Sequence, residues 1–405
     1  MAMVMLFTFG LADQIAVREE VMNNLAAGAL VLPFVLFSSL AGQLADKYAK
    51  SVTIRYVKLA EIILMVLGAI GFYFGNLWAL IIILFLMGSQ STFFGPLKYA
   101  MLPELLREDE LITGNAYIEG ATFVAIILGL LVAGLLIMAP GGLWWTTGLT
   151  IGCAVAGWLF SLKIPQTNSA APKLEIDLHF VRATTDMVRS ARANRPVFAS
   201  ILAIGWFWLF GALFMAQFPA YTKNQLGADE GVVTLFLGVF SIGVGVGSMI
   251  CALLLKGKIS ARFSPPTAIA MALLTIDLYF ASQSLVNPDA GLMTVQKFLL
   301  IDGSWRIIAD MALIAIVGGI YIVPFYAILQ DSSADEERSR MVAVNNIVSS
   351  GFMVLAAGFS IAMIMSGFNI PDVLLVAGLC NFLVAGLVWK FLPDKEPAEK
   401  QYENL

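Results

Sequence analysis

Gly42-Gln43-Leu44-Ala45-Asp46-Lys47-Tyr48-Ala49-Lys50 is a short charged stretch between two long apolar ones, 22–44 and 53–74. A bilayer core of roughly 30 Å takes about 20 apolar residues of helix, so both flanking stretches are long enough to span. The nine residues then form a tight turn at the membrane surface. Each polar group in it has a readable use. Gly42 lets two helices approach closely. Asp46 can lie against the positive N-terminal end of a neighbouring helix, and Lys47 can pair with an acid.

The rest of the chain agrees with a membrane reading. Its 405 residues are 59% apolar and only 13% charged, and the mean hydropathy is +0.85. Soluble domains run nearer 45–50% apolar and about 25% charged. A net charge of −4 and the lack of any basic stripe interleaved with aromatics exclude a nucleic-acid binder. Cys153, Cys251 and Cys380 lie far apart in apolar stretches, with no disulfide or zinc spacing. They read as small packing residues.

Eleven full spans are expected, near 22–44, 53–74, 77–97, 113–138, 142–162, 196–220, 230–255, 265–284, 306–329, 340–366 and 371–392. Met1 to Gly10 is apolar but too short to span, and carries no signal-peptide pattern. It reads as the second half of a first helix, which would make twelve. Of the 24 Lys and Arg, nineteen fall in or beside alternate loops and the C-terminal tail. Arg18, Lys223, Lys297 and Arg306 fall on the opposite side, and Lys58 falls inside a span. The positive-inside rule places the nineteen, and the C-terminus, in the cytoplasm. Trp78, Trp144, Trp145, Trp305 and Trp389 fall near span ends, as an interfacial belt requires. Gly243, Gly245 and Gly247 are placed for close helix approach.

Residues 163–195 form the longest polar stretch, with a helical charged run ending at Arg195. They divide the chain into an N-terminal bundle, 1–162, and a C-terminal bundle, 196–392, followed by a tail, 393–405. A repeat supports the division. Pro96 to Glu104 contains Tyr99-Ala100-Met101-Leu102, followed by acids at 108–110 and by Asn115. Pro324 to Asp331 contains Tyr326-Ala327-Ile328-Leu329, followed by acids at 335–337 and by Asn345 and Asn346. Parallel repeats of this kind are one transporter architecture.

The Gly42–Lys50 loop resembles the signature loop of the major facilitator superfamily, Gly-x-Leu-x-Asp-(Arg/Lys) followed by a basic residue. Ala49 stands where a glycine is usual. The second-half counterpart, Gly247 to Lys258, lacks the acid. The resemblance implies an all-α integral membrane protein of two six-helix bundles. In it Gly42, Asp46, Lys47 and Lys50 act as a conformational latch, formed in one access state and broken in the other. Phe94-Gly95-Pro96-Leu97-Lys98-Tyr99, Glu104, Asn115 and Glu119 resemble the lysophospholipid transporter family. That resemblance implies movement of lysophosphatidylethanolamine-type lipids to the cytoplasmic leaflet of a bacterial inner membrane. A separate cytoplasmic-side acyltransferase would then reacylate them. The family's Asp-Asn pair of the first helix would lie upstream of Met1.

Ionisable residues inside spans cost roughly 2.5–3.5 kcal/mol each on insertion scales, so each calls for a reason. Lys58 and Glu61 share one helix face and neutralise each other, or bind a head group. Lys98 could hold a lipid phosphate or reach the cytoplasmic interface. Asn115 and Glu119 lie four apart on one face, and Glu119 could pair with Lys98 or Lys58 or meet an ammonium. These five are the candidate substrate-binding residues. Asp277 is unmatched by any motif, and Asp310, four residues after Arg306, is expected to pair with it. No catalytic residue, metal or cofactor is expected. His179 has Thr184 five residues on, so no His-x-x-x-x-Asp acyltransferase pair exists, and it reads as a solvated linker residue. Two other functions stay open: a major-facilitator drug or metabolite/proton antiporter, and a non-transporting membrane module that partners an acyltransferase.

Overall fold

The computed structural model describes residues 19–137, 141–283 and 292–391. The half-helix expected at Met1–Gly10 and the tail at 393–405 lie outside the described residues. Among these, eleven helices are long and apolar enough to cross a membrane. They are α1 (Glu19–Lys47), α2 (Lys50–Tyr73), α3 (Leu77–Ala100), α4 (Leu111–Ile137), α5 (Gly142–Ser161), α7 (Arg195–Ala220), α8 (Glu230–Leu255), α9 (Ser264–Gln283), α10 (Ser304–Asp331), α11 (Arg338–Met365) and α12 (Ile370–Phe391). A shorter helix, α6 (Phe180–Ala193), lies in the polar stretch. In hydrocarbon every backbone polar group must be paired internally, and helices satisfy this segment by segment. Several spans start earlier than their apolar run, at Lys50, Arg195 and Arg338. Arg195 is exposed, while Lys50 and Arg338 are buried and paired with Glu104 and Asp335.

The helices gather into two compact units. Of the described residues, one holds those up to Leu105, with Ala125–Asn194 and Ser333–Gly351, and the other holds those of Leu106–Val124, of Arg195–Ser332 and from Phe352 to Phe391. Helices α4 and α11 therefore contribute one part to each.

In the first unit α1 packs along α3, and α2 along α3 and α5. Gly88 of α3 leaves no room for a Cβ against the Leu30 carbonyl, so the two backbones touch there. Phe37 meets Phe85 edge-on at 6.0 Å. The polar stretch is stitched to the α1–α2 turn. Ala171 N–H donates to the Asp46 carbonyl at 2.9 Å, and Ser169 Oγ donates to the Lys47 carbonyl at 2.6 Å. Asp177 N–H donates to Gln43 Oε1 at 2.7 Å, and Gln43 Nε2 donates back to the Asp177 carbonyl at 3.2 Å. His179 is exposed, as expected, and it also caps α6, its Nδ1 accepting Arg182 N–H at 3.3 Å. The Arg182 guanidinium beside Asp177 holds that carboxyl at about 2, well below the usual carboxylate range.

In the second unit α8 and α10 form the densest pairing, and α10 is 72% buried against 11% for α2. Of the expected glycine seam, Gly243 and Gly247 make this contact, and Gly245 faces Gly120 of α4. A Cβ on Gly243 would meet Ala315 Cβ at 2.6 Å, and one on Gly247 would enter the Ile316 carbonyl. Phe214 of α7 meets Phe210 and Phe218 of the same helix, and Phe214 and Phe218 pack against Phe240 and Phe236 of α8, mostly tilted or edge-on. Trp78, Trp144, Trp145, Trp305 and Trp389 are all exposed.

Gly247→Val is expected to lower thermal stability in detergent by about 1–3 kcal/mol, the range for overpacking a close contact. Gly386→Val on α12, where a Cβ meets nothing within 4 Å, is the control. Equal melting curves for the two would show that α8 and α10 are not held at this spacing.

Candidate functional site

Asp46 occupies the last turn of α1 and is fully buried. Its Oδ1 accepts Ser339 N–H at 3.0 Å. Its Oδ2 accepts Arg340 N–H and Arg340 Nε–H, both at 3.2 Å. Ser339 and Arg340 are the second and third residues of α11, whose first N–H groups have no partner inside the helix. A carboxylate placed there satisfies those donors and meets the positive end of the helix dipole. Gly42 makes the approach possible, because a Cβ there would meet Ala343 Cβ at 2.7 Å and Arg340 Cα at 3.0 Å.

The other residues expected to form a latch divide differently from expectation. Lys47 is half-buried and makes no ion pair among the described residues. Lys50, fully buried, donates to Glu104 Oε1 at 2.6 Å instead. Lys50 opens α2, which packs along α3 and so faces the turn after α3 where Glu104 lies. The cation beside Asp46 is Arg340, 294 residues away in sequence.

The second-half counterpart of this loop, which lacks the acid, still makes a close contact. Lys256 and Gly257 adopt positive φ, at 48° and 80°. A Cβ on Gly257 would meet Asp109 Cα at 3.4 Å and crowd the Asp109 carbonyl. Asp109 lies in the acidic turn that leads into α4. Each α-to-α loop thus touches the entry of a helix from the other half of the sequence, one through a carboxylate and one through bare backbone.

Asn115 and Glu119 sit one turn apart on α4 and both are fully buried. Asn115 Nδ2 donates to Gln330 Oε1 at 2.7 Å, and Gln330 Nε2 donates to Asn115 Oδ1 at 2.9 Å. This reciprocal amide pair ties the start of α4 to the end of α10, directly after Tyr326-Ala327-Ile328-Leu329. The repeat has its mirror contact: a Cβ on Gly95, at the end of α3, would meet Asn346 Nδ2 at 2.8 Å at the start of α11.

Lys58 and Glu61 pair as expected, at 2.7 Å, both partly buried. Gln90 of α3 adds a bond from Nε2 to Glu61 Oε2 at 3.0 Å. Lys58 Nζ also lies 4.4 Å above the Phe94 ring. Gln90 closes one wall of an open groove of about 310 Å³, otherwise lined by Val57, Ala60, Ile63, Leu64, Leu86 and Phe93. Lys98, half-buried, lies 4.4 Å from its neighbour Tyr99's ring centre. Lys58, Glu61 and Lys98 belong to the first unit, and Asn115 and Glu119 to the second. Arg306 does not take Asp310 as its partner. It grips Asp277 of α9 with Nε to Oδ2 at 3.0 Å and Nη2 to Oδ1, because the guanidinium fork fits one carboxylate with two parallel bonds.

Reading the sequence did not find Ser339, Arg340, Gln90 or Gln330 as site residues, and it named Glu104 in the family motif without its partner Lys50. The only available signals were the acids and amides flanking the repeated Tyr-Ala-x-Leu segment.

The family model described as Major Facilitator Superfamily matches residues 1–296. The chain belongs to that superfamily. It is a multi-pass membrane transporter. Among curated proteins, it is 26% identical over 368 residues to the lysophospholipid transporter LplT of Citrobacter koseri, covering 88% of this chain and 84% of that one. It is 24% identical to those of Pectobacterium carotovorum, covering 86% and 78%, and Escherichia coli, covering 88% and 83%. The family resemblance carried by residues 94–119 is thus met along most of the chain. Among solved structures, a proton:xylose symporter matches with a TM-score of 0.70 at 12% identity, covering 97% of this chain and 91% of that one. A bacterial homologue of the iron transporter ferroportin matches with a TM-score of 0.68 at 14% identity, covering 95% and 94%. These two establish the fold.

Two outcomes follow from this geometry. Asn115→Leu or Gln330→Leu alone should each cost about 1–3 kcal/mol, because one buried amide loses its partner. The double variant should be more stable than the sum of the two, as measured by thermal unfolding in detergent; strictly additive losses would show that the two amides do not pair. Separately, Asp46→Asn should loosen the first turn of α11. A cysteine at the fully buried Val342 should then react faster with a maleimide than in the Asp46 background, and an unchanged rate would remove Asp46 from the latch.

Proposed function

We propose that this chain transports lysophospholipids, taking lysophosphatidylethanolamine-type lipids from the outer to the cytoplasmic leaflet of a bacterial inner membrane. Reacylation there falls to a separate acyltransferase. The bound Asp46 carboxylate on the first turn of α11 carries the reading of a cycling transporter. Three hydrogen bonds from one helix end make a contact that holds firmly in one state and breaks as a unit. The proposed cycle is alternating access between two six-helix bundles, 1–162 and 196–392, joined by 163–195, with the C-terminus cytoplasmic.

The substrate class rests on the named relatives and on the chemistry of the polar groups in the spans. A lysophosphatidylethanolamine head bears one phosphate and one ammonium, so it asks for both a cation and an acid. Lys98 is a proposed phosphate ligand in the first unit, and Glu119, one turn from Asn115, is a proposed acid for an ammonium in the second. Lys58 and Glu61 form a second cation–acid set. The apolar groove beside Gln90 and Glu61 suits a single acyl chain, since its walls are aliphatic and aromatic and it opens outward.

The deciding experiment is uptake of labelled lysophosphatidylethanolamine into spheroplasts lacking their own transporter. Cells expressing this chain should accumulate the lipid and Lys98→Ala should accumulate it several-fold more slowly, with equal amounts of each protein in the membrane. Unchanged uptake by the variant would remove Lys98 from the site. No uptake by the parent chain would favour the drug or metabolite antiporter.

A further inference from the structure

Three atoms close together on α11 are buried with no hydrogen-bond partner among the described residues. They are Asn345 Oδ1, Asn346 Nδ2 and Ser349 Oγ. Ser349 lies four residues after Asn345 and three after Asn346, so it neighbours both on the helix surface. Asn345 and Ser349 are only 2% and 6% exposed. Asn346 is half-buried, with its amide nitrogen sealed. No other five-residue stretch among the described residues holds more than one such atom. A buried amide or hydroxyl left unpaired is costly, and hydrocarbon has no water to serve it. Three together call for a partner from outside the chain.

The helices packed on this part of α11 keep their own polar groups occupied. Asn346 Nδ2 rests on α3, where a Cβ on Gly95 would lie 2.8 Å away. Thr92, one turn before Gly95, donates its hydroxyl to the Gly88 carbonyl at 2.8 Å. Ser38, one turn before Gly42 on α1, donates to the Phe34 carbonyl. At the start of α11, Asp46 and Arg340 already neutralise each other. All of these residues belong to the first unit.

The three atoms define the chemistry of a ligand. An amide nitrogen donates, an amide oxygen accepts and a hydroxyl does both. A phosphate can only accept and an ammonium can only donate, so neither serves all three. An alcohol can accept from Asn346 and donate to Asn345, with Ser349 in either role. Lysophosphatidylethanolamine carries one alcohol, the glycerol hydroxyl left by the missing acyl chain. In its 1-acyl form that hydroxyl is on the carbon next to the one bearing the phosphate. Lys98, proposed above as a phosphate ligand, lies three residues beyond Gly95, about 4.5 Å along the axis of α3. That spacing suits the phosphate and the hydroxyl of one head group.

We propose that Asn345, Asn346 and Ser349 bind the free glycerol hydroxyl of a lysophospholipid and thereby select it against the diacyl lipid. An ester at that carbon has no hydrogen to give Asn345, and it adds a second chain where α3 and α11 touch. The assignment rests on the transport reading above for the identity of the alcohol.

The test compares 1-palmitoyl lysophosphatidylethanolamine with its deoxy analogue, in which hydrogen replaces the free hydroxyl. Native mass spectra of the purified full-length chain, with both lipids at equal concentration, give a binding ratio. Proteoliposomes give the ratio of transport rates. A site built to pair a hydroxyl rejects the analogue lacking it, so the parent chain should favour the natural lipid roughly tenfold in both. Asn345→Leu and Ser349→Ala should each bring both ratios close to one, by weakening the natural lipid and leaving the analogue unchanged. Neither variant removes a bond made within the protein, so neither should melt below the parent.

A parent that binds the two lipids equally, or binds neither, overturns the site, and buried water then serves these atoms. A preference that survives unreduced in both variants overturns it as well. If binding discriminates but neither lipid crosses the bilayer, the transport reading fails and the hydroxyl site stands.

Discussion

A carboxylate with no exposed surface normally has to be discharged or paired. Asp46 meets that requirement by accepting three hydrogen bonds from the first turn of α11. Both sides need the contact. The helix end has N–H groups that nothing inside α11 can satisfy, and the acid needs donors it cannot find in α1. Gly42 is then constrained by distance, since a side chain one turn earlier would hold the helices apart. The polar stretch is constrained too, because Ala171, Ser169 and Asp177 bond the same turn that presents Asp46. Withdrawing α11 would leave a buried charge and several donors unsatisfied together, so a contact of this kind would open in one step.

The repeat in the sequence becomes intelligible at this level. Tyr99-Ala100-Met101-Leu102 and Tyr326-Ala327-Ile328-Leu329 close α3 and α10, helices with an internal proline at Pro96 and Pro324. Each helix end receives the asparagine-bearing start of a helix from the other half. Asn115 reaches Gln330 and Asn346 reaches Gly95. The loops obey the same exchange, Asp46 to α11 and Gly257 to the turn before α4. Where the acid is missing, a glycine at positive φ lets the backbone come into contact instead. The two halves keep one geometry with different chemistry at the ends. Of these two loop contacts, only the one at Asp46 rests on a carboxylate.

The span count, the superfamily loop and the charge bias were legible because each rests on composition within a short window. Lys58 with Glu61 was legible for the same reason, being three residues apart on one helix. Arg306 shows where that logic stops. Its neighbour at four residues, Asp310, was the natural partner, yet Asp277 on α9 won because the fork takes both of its oxygens. Lys47 and Lys50 differ by three positions and only the second finds an acid, Glu104, across a helix pair. Arg340, Ser339 and Gln330 could not be read at all. Their roles depend on contacts 215 to 294 residues apart, which no periodicity encodes.

If, as proposed, Lys58 and Glu61 meet the head group, their pairing bears on which solutes they would accept. Both side chains are already satisfied, by each other at 2.7 Å and by Gln90. A simple anion reaching Lys58 would have to displace Glu61 and leave a carboxylate without its cation in a low-dielectric span, the costly half of a broken ion pair. A simple cation faces the same difficulty at Glu61. A zwitterion does not. Its phosphate can take Lys58 while its ammonium takes Glu61, so two ion pairs replace one and no net charge is stranded. On the same proposal the apolar groove beside them would take a hydrocarbon tail. A head of balanced charge with a single chain meets both conditions, and neither condition alone would separate it from the drugs and metabolites that other members of this fold could carry.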